Sequence, residues 1–167
     1  MDFRTPHTIG SRINEPFQQL VYGAGYDHNY VINKQEAGTL TFAAKCVEPI
    51  SGRTLEVYTT EPGVQVYTAN WHSGFAGWHG ATFPARSAIC FEAQHFPDTP
   101  NKGHFPSAAL NPGEVYHQVT VYTLHFCAVI KQSREIREKN AFSLLPQRCC
   151  AANIRPRCHR QHVAFIA

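Results

Sequence analysis

Three polar residues could do chemistry together in this chain: Glu92, Asp27 and Gln65. Glu92 ends an apolar run, Ala88-Ile-Cys-Phe-Glu92, and a polar loop punctuated by Pro97 and Pro100 follows. A lone carboxylate at a strand-to-loop boundary can be aimed into a cleft by a rigid scaffold, where it can take or return a proton. Asp27 lies in an aromatic segment, Gly25-Tyr-Asp-His-Asn-Tyr-Val-Ile-Asn33, and is suited to accept hydrogen bonds from ligand hydroxyls. Taken alone, it reads equally as a turn cap. Gln65 alternates with Val64 and Val66, so its amide faces either solvent or a groove. Tyr26, Tyr30, Tyr67, Trp71 and Trp78 offer flat faces that pack on the apolar side of a sugar ring or, equally, in a core. If Asp27, Gln65 and Glu92 converge, they form a polyol site. Periodicity alone does not establish that convergence.

The elements that must position these groups read as strands. Leu40, Phe42, Ala44 and Cys46 alternate with other neighbours, as do Leu55, Val57 and Thr59. Val64–Asn70 follows a Pro62-Gly63 turn, and Glu48–Arg53 has the composition of a hairpin connection. Ser87–Ala93 and Val115–Phe126 complete the set, the latter after a Pro112-Gly113 turn. Period-two patterns between Pro-Gly turns imply an all-β, antiparallel fold, and no strand–helix alternation suggests a parallel sheet. One helical candidate, Lys131–Ala141, lacks an apolar stripe, and residues 1–18 show no clear period.

Composition narrows the functional classes. No apolar run approaches the ~20 residues that span a bilayer, and the N-terminus shows no signal-peptide pattern. Ten histidines invite a metal reading, but His72, His79 and His95 fall on different loops and match no zinc template. The six cysteines are scattered and read as reduced thiols of a cytoplasmic protein. Charge is unevenly divided. Residues 1–126 hold seven Lys/Arg against ten Asp/Glu, whereas residues 127–167 hold eight against two. The basic residues of that tail form no run and are not interleaved with aromatics, so a nucleic-acid arm is disfavoured. The expectation is an atypical tail over 127–167, poorly ordered or loosely packed, behind a folded body over 1–126.

Several segments resemble the aldose 1-epimerase (galactose mutarotase) family: Tyr26-Asp-His-Asn-Tyr30, Ser51–Asn70, Phe91-Glu-Ala-Gln-His-Phe-Pro-Asp98, Phe105-Pro-Ser and Pro112-Gly-Glu-Val-Tyr116. The resemblance covers residues 1 to about 126, in order. It implies an antiparallel β-sandwich with a sugar held in an open cleft on one sheet. It also implies interconversion of α and β anomers of hexoses such as galactose and glucose, with no metal or organic cofactor. Glu92 matches the family's general base, Asp27 a carboxylate that accepts sugar hydroxyls, and Gln65 a substrate-contacting position. The family's general acid, a histidine in an upstream Asn-His-x-Tyr/Phe-Phe motif, has no match here, nor do a second sugar-binding His and an Arg. The chain therefore resembles the C-terminal part of such a domain, incomplete on its N-terminal side. The alternatives are a non-catalytic carbohydrate-binding module and a vestigial fragment. Oligomeric state is left open by the sequence.

Overall fold

The computed structural model describes residues 1–126 and 163–166. The helix expected at Lys131–Ala141 lies outside the described residues. Among the described residues, ten strands pair throughout in antiparallel fashion. They are β1 (His7–Thr8), β2 (Asp27–Val31), β3 (Thr41–Glu48), β4 (Arg53–Thr59), β5 (Gly63–Tyr67), β6 (Ser73–Ala76), β7 (Thr82–Pro84), β8 (Cys90–Gln94), β9 (Thr120–Phe126) and β10 (Val163–Ile166). One sheet runs β1-β10-β3-β4-β9, a second runs β2-β5-β8, and β6-β7 form a separate hairpin. The single α-helix among the described residues is short, α1 (Gln18–Gly23). None of their helices is long and apolar enough to cross a membrane.

The core lies between the two sheets. Alternation turns Ala44, Cys46 and Val57 inward from the first sheet, and Val64, Val66 and Phe91 inward from the second. Each fully buried Val or Phe of this set contributes about 1.5–3 kcal/mol relative to exposure. The opposite face of the first sheet is polar. There Lys45 Nζ sits 2.9 Å from Glu56 Oε1 on the neighbouring strand. The Tyr122 hydroxyl crosses between the layers and donates to the Phe91 carbonyl at 2.9 Å, tying β9 to β8.

Two departures from the sequence reading have physical causes. The last strand begins at Thr120 and not at Val115, because residues 111–118 are occupied by a turn and by a connection whose Tyr116 hydroxyl donates to buried Glu61 at 2.9 Å. Within the tail, Val163–Ile166 forms β10, inserted between β1 and β3, with Ala164 opposite Cys46 and His7. For these four residues the expectation of loose packing is replaced by a paired strand. Residues 127–162 lie outside the described residues.

Candidate functional site

Strand pairing places the three candidate residues. In the β2-β5-β8 sheet, Asn29 is opposite Gln65, and Gln65 is opposite Glu92. One two-residue step along the strands, Asp27 is opposite Tyr67 and Tyr67 opposite Cys90. Because side chains alternate, all six point to the same face. His28, Val66 and Phe91 form the intervening row on the core side. Strand spacing and rise place the Asp27 and Glu92 Cα atoms about 12 Å apart, with Gln65 between them.

The Gln65 amide donates from Nε2 to Asp27 Oδ1 at 2.8 Å, locking two of the three together. The remaining polar atoms of this row are less engaged. Gln65 Oε1 and Asn29 Nδ2 are shielded from solvent and have no protein hydrogen-bond partner. Such groups are costly unless something bonds to them. Glu92 is exposed, so its carboxylate is open to a ligand arriving from solvent. The Cys90 thiol, on the same face, is pushed up by burial and then by the negative charge of Glu92. Two shallow concavities, of about 190 and 200 Å³, are not lined by Asp27, Gln65 or Glu92.

The base of this face is fixed by a buried amide. Asn70 Nδ2 donates to the carbonyls of Gly23 (2.7 Å) and Tyr26 (2.9 Å), and Asn70 Oδ1 lies 2.7 Å from Thr68 Oγ1. Thr68 Oγ1 in turn accepts the Tyr26 N–H at 3.2 Å. These bonds hold the chain where it enters β2, immediately before Asp27. Gly25 between them has φ +142°, and a Cβ there would collide with the Asn70 amide, so only glycine fits.

The histidines and aromatics sort differently. His28 faces the core side and accepts the Asp27 N–H at Nδ1, 3.0 Å. His95, just past β8, places Nδ1 2.6 Å from Oε2 of the buried Glu61. Glu61 gave no sequence signal, because a carboxylate in a Pro-Gly turn reads as exposed. Here it ties together the β4–β5 turn, Tyr116 and the segment after Glu92. Among the described residues there is no group of three or more His, Cys, Asp or Glu able to hold a metal ion. Tyr26 is fully buried, and its ring packs on Phe3 at 5.1 Å; Tyr30 does the same at 6.1 Å. Those two belong to the core. Tyr67 faces the site, and Trp71 and Trp78 are exposed.

His28 gives this region a pH dependence. Burial holds its pKa below the ordinary 6.5, opposed by a hydrogen bond to the Gln19 backbone and by the charge of Asp27. The unfolded chain therefore takes up this proton at higher pH than the folded one. Stability is complete above about pH 6.5 and falls as the pH drops below it. The shifted carboxylates, Asp2, Glu56 and Glu114, act lower, since each is held below its ordinary carboxylate value, by Arg4, by Lys45 and by Asn111 respectively. Between pH 7 and 5, melting temperature should fall less steeply in His28→Gln than in the parent. Parallel slopes would refute the assignment.

Comparison with known proteins identifies the family. The sequence profile of the aldose 1-epimerase family matches residues 1–123. The chain is 40% identical to galactose mutarotase of Mus musculus over 120 residues, which are 71% of this chain and 33% of that protein. It is 38% identical to galactose mutarotase of Homo sapiens over 120 residues, with the same coverage. To aldose 1-epimerase of Escherichia coli K12 it is 30% identical over 132 residues, 72% of this chain and 35% of that protein. The chain thus spans about a third of the length of the curated relatives it matches. With its antiparallel sheets and a match running from residue 1 into β9, the chain belongs to the aldose 1-epimerase family.

Proposed function

We propose that the exposed face of β2-β5-β8 binds a free aldohexose such as galactose or glucose and supplies the basic half of an anomer-interconverting site. Glu92 takes the proton from the anomeric hydroxyl. Asp27 accepts hydrogen bonds from ring hydroxyls and is itself positioned by the Gln65 amide. An acid protonates the ring oxygen, the C1–O5 bond breaks, and C1–C2 rotation presents the other face of the aldehyde. On reclosure O5 attacks C1 from the other face and gives its proton back to the acid, while Glu92 returns its proton to O1, now in the opposite anomeric configuration. The carrying observation is the register that sets Gln65 opposite Glu92 while its amide bonds to Asp27. No organic cofactor or metal enters these steps. Cys46 and Cys90 are both free thiols, which suits a reducing, cytoplasmic setting.

The acid is the group this chain does not bring to the face from His28 or His95. The first sits on the core side, and the second is engaged by Glu61. That observation favours a second reading, sugar binding without turnover, for the chain by itself. Polarimetry on freshly dissolved α-galactose tests the assignment. The chain alone should barely exceed the spontaneous rate, because acid–base catalysis needs both partners within hydrogen-bond reach of the sugar. Joined to the N-terminal two-thirds of a galactose mutarotase, it should catalyse. Failure of the correctly folded fusion would refute the assignment of Glu92 as base.

A further inference from the structure

We propose that Glu61 is a positioning residue for Glu92: with His95 and Tyr116 it forms a buried clamp that fixes the end of β8, the strand that carries the base. This rests on the reading of Glu92 as the group that takes the anomeric proton. β8 lies at the edge of its three-stranded sheet, and among the described residues its strand partner is β5. A reacting side chain on such a strand keeps its aim when neighbouring contacts lock the backbone beside it. Two tethers bracket Glu92. On one side the Phe91 carbonyl accepts the Tyr122 hydroxyl at 2.9 Å. On the other, just past Gln94, His95 Nδ1 lies 2.6 Å from Glu61 Oε2.

Glu61 is itself held from other directions. Its Oε1 accepts the Tyr116 hydroxyl at 2.9 Å, and its N–H donates to Thr59 Oγ1 at 3.1 Å. The turn that carries it is pinned by the Ile32 N–H, which donates to the Pro62 carbonyl at 3.0 Å. Phe96 completes the clamp. A Cβ on Gly63 would meet its ring at 3.0 Å, so glycine lets Phe96 close over the start of β5, edge-on to Phe105 at 5.1 Å. Glu61 is 3% exposed. Burying a carboxylate beside an imidazole rarely adds net stability over an apolar filling of the same space. Its use is geometric: directional contacts from distant segments converge beside the end of β8. The Asp27–Gln65 hydrogen bond is separate from these contacts. Loosening the clamp should therefore displace the base and leave the hydroxyl-binding groups in place.

The test has two arms. In the full chain, Glu61→Ala should quicken amide hydrogen exchange in β8 about tenfold or more, the scale of one or two lost hydrogen bonds, and leave β3 near parental. In the chain joined to the N-terminal two-thirds of a galactose mutarotase, Glu61→Ala should lower kcat for galactose about 10–100-fold with KM little changed. Glu61→Gln should recover most of that loss, because its oxygen still accepts Tyr116 and its amide N–H meets His95 Nδ1 in the other tautomer. His95→Ala should give the same signature as Glu61→Ala. Combining the two should cost nothing more, since the pair acts as one unit. Exchange that quickens equally in β3 and β8 would make Glu61 a general structural residue and overturn the proposal. A rise in KM with kcat unchanged would also overturn it. So would a Glu61→Gln enzyme as poor as Glu61→Ala, which would mean that the charge itself acts on the sugar. Should Glu61→Ala not fold, His95→Ala and Tyr116→Phe carry both arms with the same expected signs. If the folded parental fusion does not turn over, the reading of Glu92 falls, and the exchange arm still decides the clamp.

Discussion

Replacing Glu92 by Gln in the chain joined to the N-terminal two-thirds of a galactose mutarotase is expected to reduce anomer interconversion by about 10²–10⁴-fold, with KM little changed. A positioned proton acceptor contributes acceleration of that order. The amide keeps the shape and hydrogen-bonding capacity of the carboxylate but cannot accept the anomeric proton. Neighbouring contacts persist, because the Gln65–Asp27 hydrogen bond does not involve Glu92. Asp27→Asn should behave differently. It keeps a carbonyl for Gln65 but removes a charge from the hydroxyl-binding row, so it should raise KM more than it lowers kcat. Polarimetry at several sugar concentrations separates the two patterns. If Glu92→Gln retained more than about a tenth of parental kcat, a loss below one decade, Glu92 would not be the base.

The second large effect concerns stability. Asn70→Ala is expected to lower unfolding free energy by about 1–3 kcal/mol, measured by urea denaturation. The Asn70 amide satisfies the carbonyls of Gly23 and Tyr26 and pairs with Thr68. Removing it leaves the part-buried Gly23 carbonyl and the buried Thr68 hydroxyl without their Asn70 partner, while the Tyr26 carbonyl keeps the Thr68 N–H at 3.0 Å. The same loss frees the entry to β2, so Asp27 should lose its position and sugar affinity should fall in parallel. A cost under about 1 kcal/mol would show that this network does not hold the strand.

How far the sequence revealed these features depends on the kind of interaction. β3, β4, β5 and β8 were legible because each has one face in a dry core: Val57, Val64, Val66 and Phe91 alternate with polar neighbours. The β6–β7 hairpin was not, since its residues are exposed on both faces and no alternation results. Six-residue α1 is too short to display a helical period. β10 was hidden because Val163–Ile166 was read with the basic composition around it, whereas its place is set by pairing with β3, more than a hundred residues away. The candidate site divides in the same way. The placement of Asp27, Gln65 and Glu92 within or at the ends of strands followed from local pattern. Their common face depends on non-local register, which one residue of slip would reverse. Buried Glu61, in contact with His95 and Tyr116, depends on three distant segments and left no local trace.

The central claim is that the β2-β5-β8 face binds a hexose. Its most direct test is to follow the side-chain amide resonances of the ¹⁵N-labelled chain during titration with galactose. The Gln65 and Asn29 amides should shift with a common, saturating dependence on sugar. The Asn70 amide, buried beneath the start of β2, should remain in place. A Gln65 resonance unmoved at concentrations that shift other residues would place the sugar elsewhere and contradict the account.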